Sequence, residues 1–155
     1  MKLYFKQKAF KLKEDIKIFD ENEAVVFKIV GTFLEIPKTF KVFDNNDQEL
    51  ASIETYYIGL RQYYQVKTLD GEFNIKKSFN PFKLKLWILE NGWELNGYVG
   101  FLDFELFSQE TLLMDLNKVY PSIGDRYELT LKNEEDALLA VIISIIVDRI
   151  ASSGR

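Results

Sequence analysis

Through most of the chain, apolar and polar residues alternate in short runs, the two-residue period of strands with one buried face. Phe82, Leu84, Leu86 and Ile88 share one face of such a run, with Lys83, Lys85 and Trp87 on the other. Phe40 and Val42 bracket Lys41, while Val25, Phe27 and Ile29 line one face beside Lys28. Tyr127, Leu129 and Leu131 make a last strand. Between the runs stand Asp20-Glu21-Asn22-Glu23, Asp44-Asn45-Asn46-Asp47, Asp70-Gly71, Glu90-Asn91-Gly92 and Ser108-Gln109. Asp, Asn and Gly favour turns because they bond their own backbone or accept left-handed geometry. Starting at positions 20, 44, 70, 90 and 108, these turns recur every 18 to 26 residues. That is the length of two strands and two connections, so the repeating unit is a β-hairpin. About ten to twelve strands fit before residue 133, a number that suggests closure into a barrel.

The pattern then changes. Asn133 is a suitable N-cap, and Glu134, Glu135 and Asp136 place three acids against the positive end of a helix dipole. From Ala137 to Ile150 apolar residues fall on every side of a helical wheel, so the helix must be buried all round. Its longest apolar run, Ala137 to Val147, is broken only by Ser144 and falls short of the roughly 20 residues that span a bilayer. Protein must surround it. About 18 residues at 1.5 Å each give roughly 27 Å, comparable with the height of a barrel of short tilted strands. The chain is thus expected to be one soluble domain over 1–155, with strands over about 2–132 and a central helix over about 134–151. Asp148 and Arg149 fit a buried polar site but are more readily expected to mark where that helix leaves the core, with Arg149 favoured by the negative dipole end. Ser144 is expected to return its hydroxyl to a carbonyl one turn back.

Composition narrows the chemistry. The 155 residues include 13 Phe and 8 Tyr but 3 Pro, a bias toward strands. Cysteine and histidine are both absent. That excludes disulfides, thiolate metal sites, His-dependent serine hydrolases, cysteine proteases and zinc hydrolases, and leaves carboxylate or lysine chemistry open. No Gly-rich phosphate loop and no distinctive carboxylate pair appears, so neither an enzyme nor a cofactor is expected. The lack of cysteine agrees with a reducing cytoplasm. Lysines interrupt every apolar stretch near the N-terminus, so no signal peptide and no transmembrane span is expected.

The net charge of −4 argues against nucleic acid as a partner. The charge is uneven, however: residues 1–90 hold 15 Lys/Arg against 13 Asp/Glu, and residues 91–155 hold 5 against 11. Two windows lack acids. One carries Lys2, Lys6, Lys8, Lys11 and Lys13; the other, Phe73 to Leu89, carries Lys76, Lys77, Lys83 and Lys85.

Several stretches, in order, resemble a known family. They are Lys6-Gln7-Lys8 with Phe10, then Asp20 with Val26-Phe27 and Gly31, then Asp44 with Glu49-Leu50-Ala51 and Ile53. Lys76-Lys77, Glu94-Leu95-Asn96-Gly97, Asp125-Arg126-Tyr127 and the closing Glu135-Asp136 through Ile146-Val147-Asp148 follow. From Lys6 to Ile150 the chain resembles a LURP-one-related protein of bacterial single-domain type, in the superfamily of tubby and the phospholipid scramblases. The resemblance implies a mainly β fold, a closed antiparallel barrel of about twelve strands around a buried hydrophobic C-terminal helix. Family turns usually carry Gly; here the first two do not.

The resemblance also implies where to look for a ligand. Tubby holds a phosphoinositide through cationic side chains on its barrel, and scramblase-like members act at membranes. By that analogy Lys6, Lys8, Lys11, Lys13, Lys76, Lys77, Lys83 and Lys85 would meet anionic phospholipid at the surface of a membrane, placing the protein in the cytoplasm and peripheral to the bilayer. The plainer reading makes these lysines the solvated faces and edge protection of strands. A structural or protein-interaction barrel with an unknown protein partner, and a scramblase-like lipid-handling protein, are the alternatives. Asp44-Asn45-Asn46-Asp47 superficially matches a calcium loop but lacks its Gly and distal Glu, and reads as a hairpin turn. Trp87 and Trp93 fit either an aromatic membrane belt or, more commonly, cross-strand and core packing.

Overall fold

A computed structural model describes residues 1–6, 16–32, 39–78, 80, 82–98, 103–119 and 126–153. Its strands are β1 (Lys2–Lys6), β2 (Ile16–Phe19), β3 (Val25–Thr32), β4 (Thr39–Asp44), β5 (Glu49–Ile58) and β6 (Arg61–Thr68). They continue as β7 (Gly71–Lys77), β8 (Lys83–Ile88), β9 (Glu94–Tyr98), β10 (Asp103–Ser108), β11 (Thr111–Val119) and β12 (Arg126–Leu131). Each pairs antiparallel with the next, and β1 pairs with β12 from Lys2 opposite Thr130 to Lys6 opposite Arg126. The meander therefore closes into a barrel, which removes free sheet edges. A single 3₁₀ turn, Glu134–Asp136, leads into α1 (Ala137–Ser153), which fills the lumen.

Alternation decides which side chains face the helix. Leu84, Leu86 and Ile88 of β8, Tyr127, Leu129 and Leu131 of β12, and Phe40, Val42 and Ile29 are all buried. Phe82 departs from this pattern. The Asn80 side-chain carbonyl accepts the backbone N–H groups of Phe82 (2.9 Å) and Lys83 (3.1 Å), so a turn interrupts the run and leaves Phe82 79% exposed. On α1, Val141, Ile142, Ile143, Ile145, Ile146 and Val147 are buried on every side, as an all-apolar helix requires. Ser144 donates its hydroxyl to the Ala140 carbonyl at 2.7 Å.

Two details of the helix differ from expectation. Asn133 has extended backbone, and its carbonyl accepts the Asp136 N–H, but its side chain makes no capping bond. The acids of the first turn remain to complement the dipole. At the other end the helix does not leave the core at Asp148, which is 1% exposed, since Ala151 beyond it is still buried. Arg149 balances that charge inside the fold, and its guanidinium lies 4.7 Å from the centre of the Phe40 ring.

The first two of the repeated turns are built alike. Asp20 Oδ1 accepts the N–H groups of Asn22 (2.8 Å) and Ala24 (3.0 Å); Asp44 Oδ1 accepts those of Asn46 (2.8 Å) and Gln48 (2.9 Å). Each is followed by a left-handed residue, Glu23 or Asp47, and by a β-bulge in the adjoining pair. The Asp carboxylate at the first position fixes the turn, while Glu23 or Asp47 takes the left-handed place that a glycine would fill more cheaply.

Candidate functional site at one end of the barrel

Antiparallel strands carry successive connections to opposite ends. The turns after β2, β4, β6, β8 and β10, and the passage from β12 into α1, lie at one end, here called the entry end because the helix enters there. Strands β1, β3, β5, β7, β9 and β11 end at the other, the exit end, where Arg149 near the C-terminus of α1 lies over Phe40 of β4. The entry-end turns carry Asp20, Glu21, Glu23, Asp44, Asp47, Asp70, Glu90 and Glu110, next to Glu134–Asp136. Among the described residues the exit end carries Arg61, Lys76, Lys77, Lys83, Arg126 and Arg149, with Asp103 at the start of β10 and the buried Asp148 as acids. Among the described residues the charge runs mostly in the sense of the helix dipole, with acids in the turns around its positive N-terminus and a majority of cations around its negative C-terminus.

Lys6 of the first window and the lysines of the second reach the exit end, but on opposite walls. Lys6 ends β1, and β1 lies six strands from β7 round the closed sheet, on the opposite wall. At about 4.8 Å between strands tilted about 40°, that is a barrel roughly 20–25 Å across. Lys8, Lys11 and Lys13 lie outside the described residues. In the second window Lys85 is ion-paired with Glu94 at 2.9 Å, and Lys76 stands 5.7 Å from the Trp87 ring centre. Lys77 falls on the inward side of its strand, opposite Leu86, and is half-buried; Lys83 is exposed.

Around these lysines lies a surface that the alternation did not single out. One row of outward residues crosses five adjacent strands: Tyr56, Tyr63, Lys76, Trp87 and Glu94, each opposite the next in register. Tyr56 and Tyr63 stack with ring centres 5.2 Å apart, and the Tyr56 hydroxyl donates to Asn74 at 2.9 Å. Burial of its ring, then the nearby Tyr63 and Glu90, holds the Tyr56 hydroxyl above the ordinary phenol range. Beyond this row the rim projects Ile58 (61% exposed), Leu60 (88%), Phe82 and Tyr98 (54%) beside Arg61 and Lys83. A signal for the row was present in Tyr56-Tyr57 and Tyr63-Tyr64, since consecutive aromatics on a strand must put one ring outside. Trp93, by contrast, packs against the core.

Inside the same mouth, Tyr64 is buried and its hydroxyl accepts a bond from Gln62 Nε2 at 3.0 Å. Burial raises the Tyr64 pKa far above the usual value, Tyr57 adds to that, and Arg149 opposes it. Burial in turn lowers the Arg149 pKa, against the attraction of Tyr64 and Asp148. This polar cluster seats the end of α1. Among the described residues no group of three acids is placed to hold a metal ion, and no helix is long and apolar enough to cross a membrane. Asp44-Asn45-Asn46-Asp47 forms the β4–β5 hairpin turn.

Comparison with known proteins bears on the fold and the family. A family model described as LURP-one-related matches residues 1–148. A Bacillus subtilis (strain 168) protein, named "Uncharacterized protein YxjI", is 30% identical over 152 residues, covering 97% of this chain and 93% of that one. A protein of Arabidopsis thaliana solved by X-ray crystallography superposes with a TM-score of 0.63 at 13% identity, over 95% of this chain and 90% of that chain. At that identity the match speaks for a shared fold.

Proposed function

The chain belongs to the LURP-one-related family, and from that premise we propose that it is a non-enzymatic module that docks on anionic membrane surfaces through the β5–β9 side of its exit end. The observation that carries this reading is the interleaving of exposed apolar side chains with cations on one rim: Ile58, Leu60 and Phe82 with Arg61 and Lys83, above Tyr56, Tyr63 and Trp87. Apolar tips enter the boundary between headgroups and acyl chains, amphipathic aromatics sit at headgroup level, and cations meet the lipid phosphates. Each basic residue adds about 1 kcal/mol near an anionic leaflet. The acidic entry end is repelled by the same surface, so the barrel would stand with its axis across the membrane plane, exit end down.

The helix takes no part in insertion on this reading, because its side chains are committed to the lumen. That disfavours a scramblase-like action in which α1 enters the bilayer.

Flotation with phosphatidylcholine vesicles, with and without phosphatidylserine, tests the proposal. Salt-sensitive binding to the anionic vesicles alone is expected. Arg61→Glu with Lys83→Glu should weaken it by about thirtyfold or more, because two cations that attract the leaflet are replaced by acids that it repels. Lys6→Glu, on the opposite wall, should leave it unchanged. Absence of wild-type binding at low salt, or binding indifferent to the rim variants, would overturn it.

A further inference from the structure

We propose that the exit end of one molecule also docks onto the entry end of a second copy, head to tail. The inference is independent of the membrane reading and rests on a match between the two rims of the same side of the barrel. At the exit end two neighbouring connections each present an exposed apolar residue followed by a cation: Leu60-Arg61 between β5 and β6, and Phe82-Lys83 before β8. At the entry end two neighbouring turns each present an exposed apolar residue followed by an acid: Leu69-Asp70 between β6 and β7, and Leu89-Glu90 between β8 and β9. Leu69 is 70% exposed and Leu89 52%.

The spacing agrees as well as the chemistry. Within each end the two connections are two strands apart, roughly 10 Å. Translating a copy along the barrel axis keeps the strand order in the same sense, and a rotation about that axis, set by the strand tilt, brings Leu60-Arg61 and Phe82-Lys83 over Leu69-Asp70 and Leu89-Glu90. The four apolar–charged pairs stand on backbone that is braced before docking, which limits the ordering cost of association. Gly59 supplies the left-handed residue of the first, at φ 62°. Asn80 braces the second through two backbone N–H groups. Thr68 Oγ1 donates to the Gly71 carbonyl at 3.0 Å across the third. In the fourth, the Glu90 carboxylate accepts the Asn74 N–H at 2.9 Å while keeping its charge exposed. Contact between unlike ends is heterologous, so it propagates as a stack.

Sedimentation velocity over a concentration series, at low and at physiological salt, tests the stack. Wild type should associate reversibly, more strongly at low salt. Asp70→Lys with Glu90→Lys, and separately Arg61→Glu with Lys83→Glu, should each weaken association by about tenfold or more. Mixing the two double variants should restore it, because each acidic rim then faces a basic one. A monomeric wild type throughout, or a mixture that stays as dissociated as its components, would overturn the proposal. Vesicle binding separates the two readings: the Asp70→Lys, Glu90→Lys variant retains an intact exit end and should still float.

Discussion

The two ends of the barrel share the same twelve strands, but the Asp20 and Asp44 turns at one end and the β5–β6 tip at the other are opposite kinds of connection. At the entry end the turns at Asp20 and Asp44 close on themselves, each carboxylate accepting two backbone N–H groups within four residues. Their polar atoms are spent on geometry. At the exit end the β5–β6 tip, Ile58-Gly59-Leu60-Arg61, turns on a glycine and leaves its apolar and cationic side chains in solvent. Exposed leucine contributes nothing to the fold it stands on, and contiguous exposed apolar surface marks contact with something else. The Asp20 and Asp44 turns spend their polar atoms on the fold, whereas the β5–β6 tip presents its side chains outward.

The strongest way to break the contrast is to remove what joins the ends. Deleting residues 134–155 takes away six fully buried β-branched side chains, Val141 to Val147 apart from Ser144. At roughly 1.5–3 kcal/mol each, that rivals the whole stability of a domain, about 5–15 kcal/mol. The truncated chain should lose its cooperative transition in urea, and a folded monomeric product would refute the helix as the organiser of both ends. Next in size is Gly97→Ala on β9. A methyl group there would collide with the Phe104 ring and the Asp103 carbonyl, one residue from the exit end. Overpacking of this kind should cost about 3 kcal/mol, read as a lower urea midpoint at unchanged slope.

Much of the fold was legible because one end advertises itself. Every turn recognised from the sequence, at 20, 44, 70, 90 and 108, is an entry-end turn, which is why the apparent period was two strands rather than one. The β5–β6 connection escaped because its tip is apolar, and a search for polar punctuation passes over Ile58-Gly59-Leu60. The helix was legible because an all-apolar segment too short for a bilayer has few places to go. The site was less so. Proximity along the chain groups Lys6 with Lys8 and Lys76 with Lys85, whereas the closed sheet puts β1 and β7 on opposite walls and ties Lys85 to Glu94. Which residues share a rim is a property of topology, and topology is written in strand order rather than in any window.

A subtler pair of variants sharpens the contrast by separating stability from binding. Asp44→Ala should cost about 1 kcal/mol in urea unfolding, since it frees two backbone N–H groups, and should leave vesicle flotation unchanged. Leu60→Ser with Phe82→Ser should do the reverse, moving stability by no more than about 0.5 kcal/mol while abolishing flotation. If the serine variant unfolded easily, the exit rim would be part of the core's support and the division between the ends would fail.

The smallest expected effect is at Glu23. It holds a left-handed conformation, φ 62°, which costs a residue with a Cβ about 1–2 kcal/mol. Glycine avoids that cost but gives up about 0.5–1 kcal/mol in unfolded-state entropy. Glu23→Gly should therefore stabilise the protein by about 0.5–1 kcal/mol, measured as a raised urea midpoint. Asp47 occupies the equivalent position at φ 63°, yet the same change should gain nothing there. Aspartate tolerates the left-handed region better, and Asp47 is ion-paired with Lys28 at 2.8 Å. The two turns share a hydrogen-bonding plan, so a difference between the variants would isolate what the left-handed side chain costs. Equal stabilisation at both positions would instead mean that the Lys28 pair contributes nothing and that the entry-end turns are interchangeable.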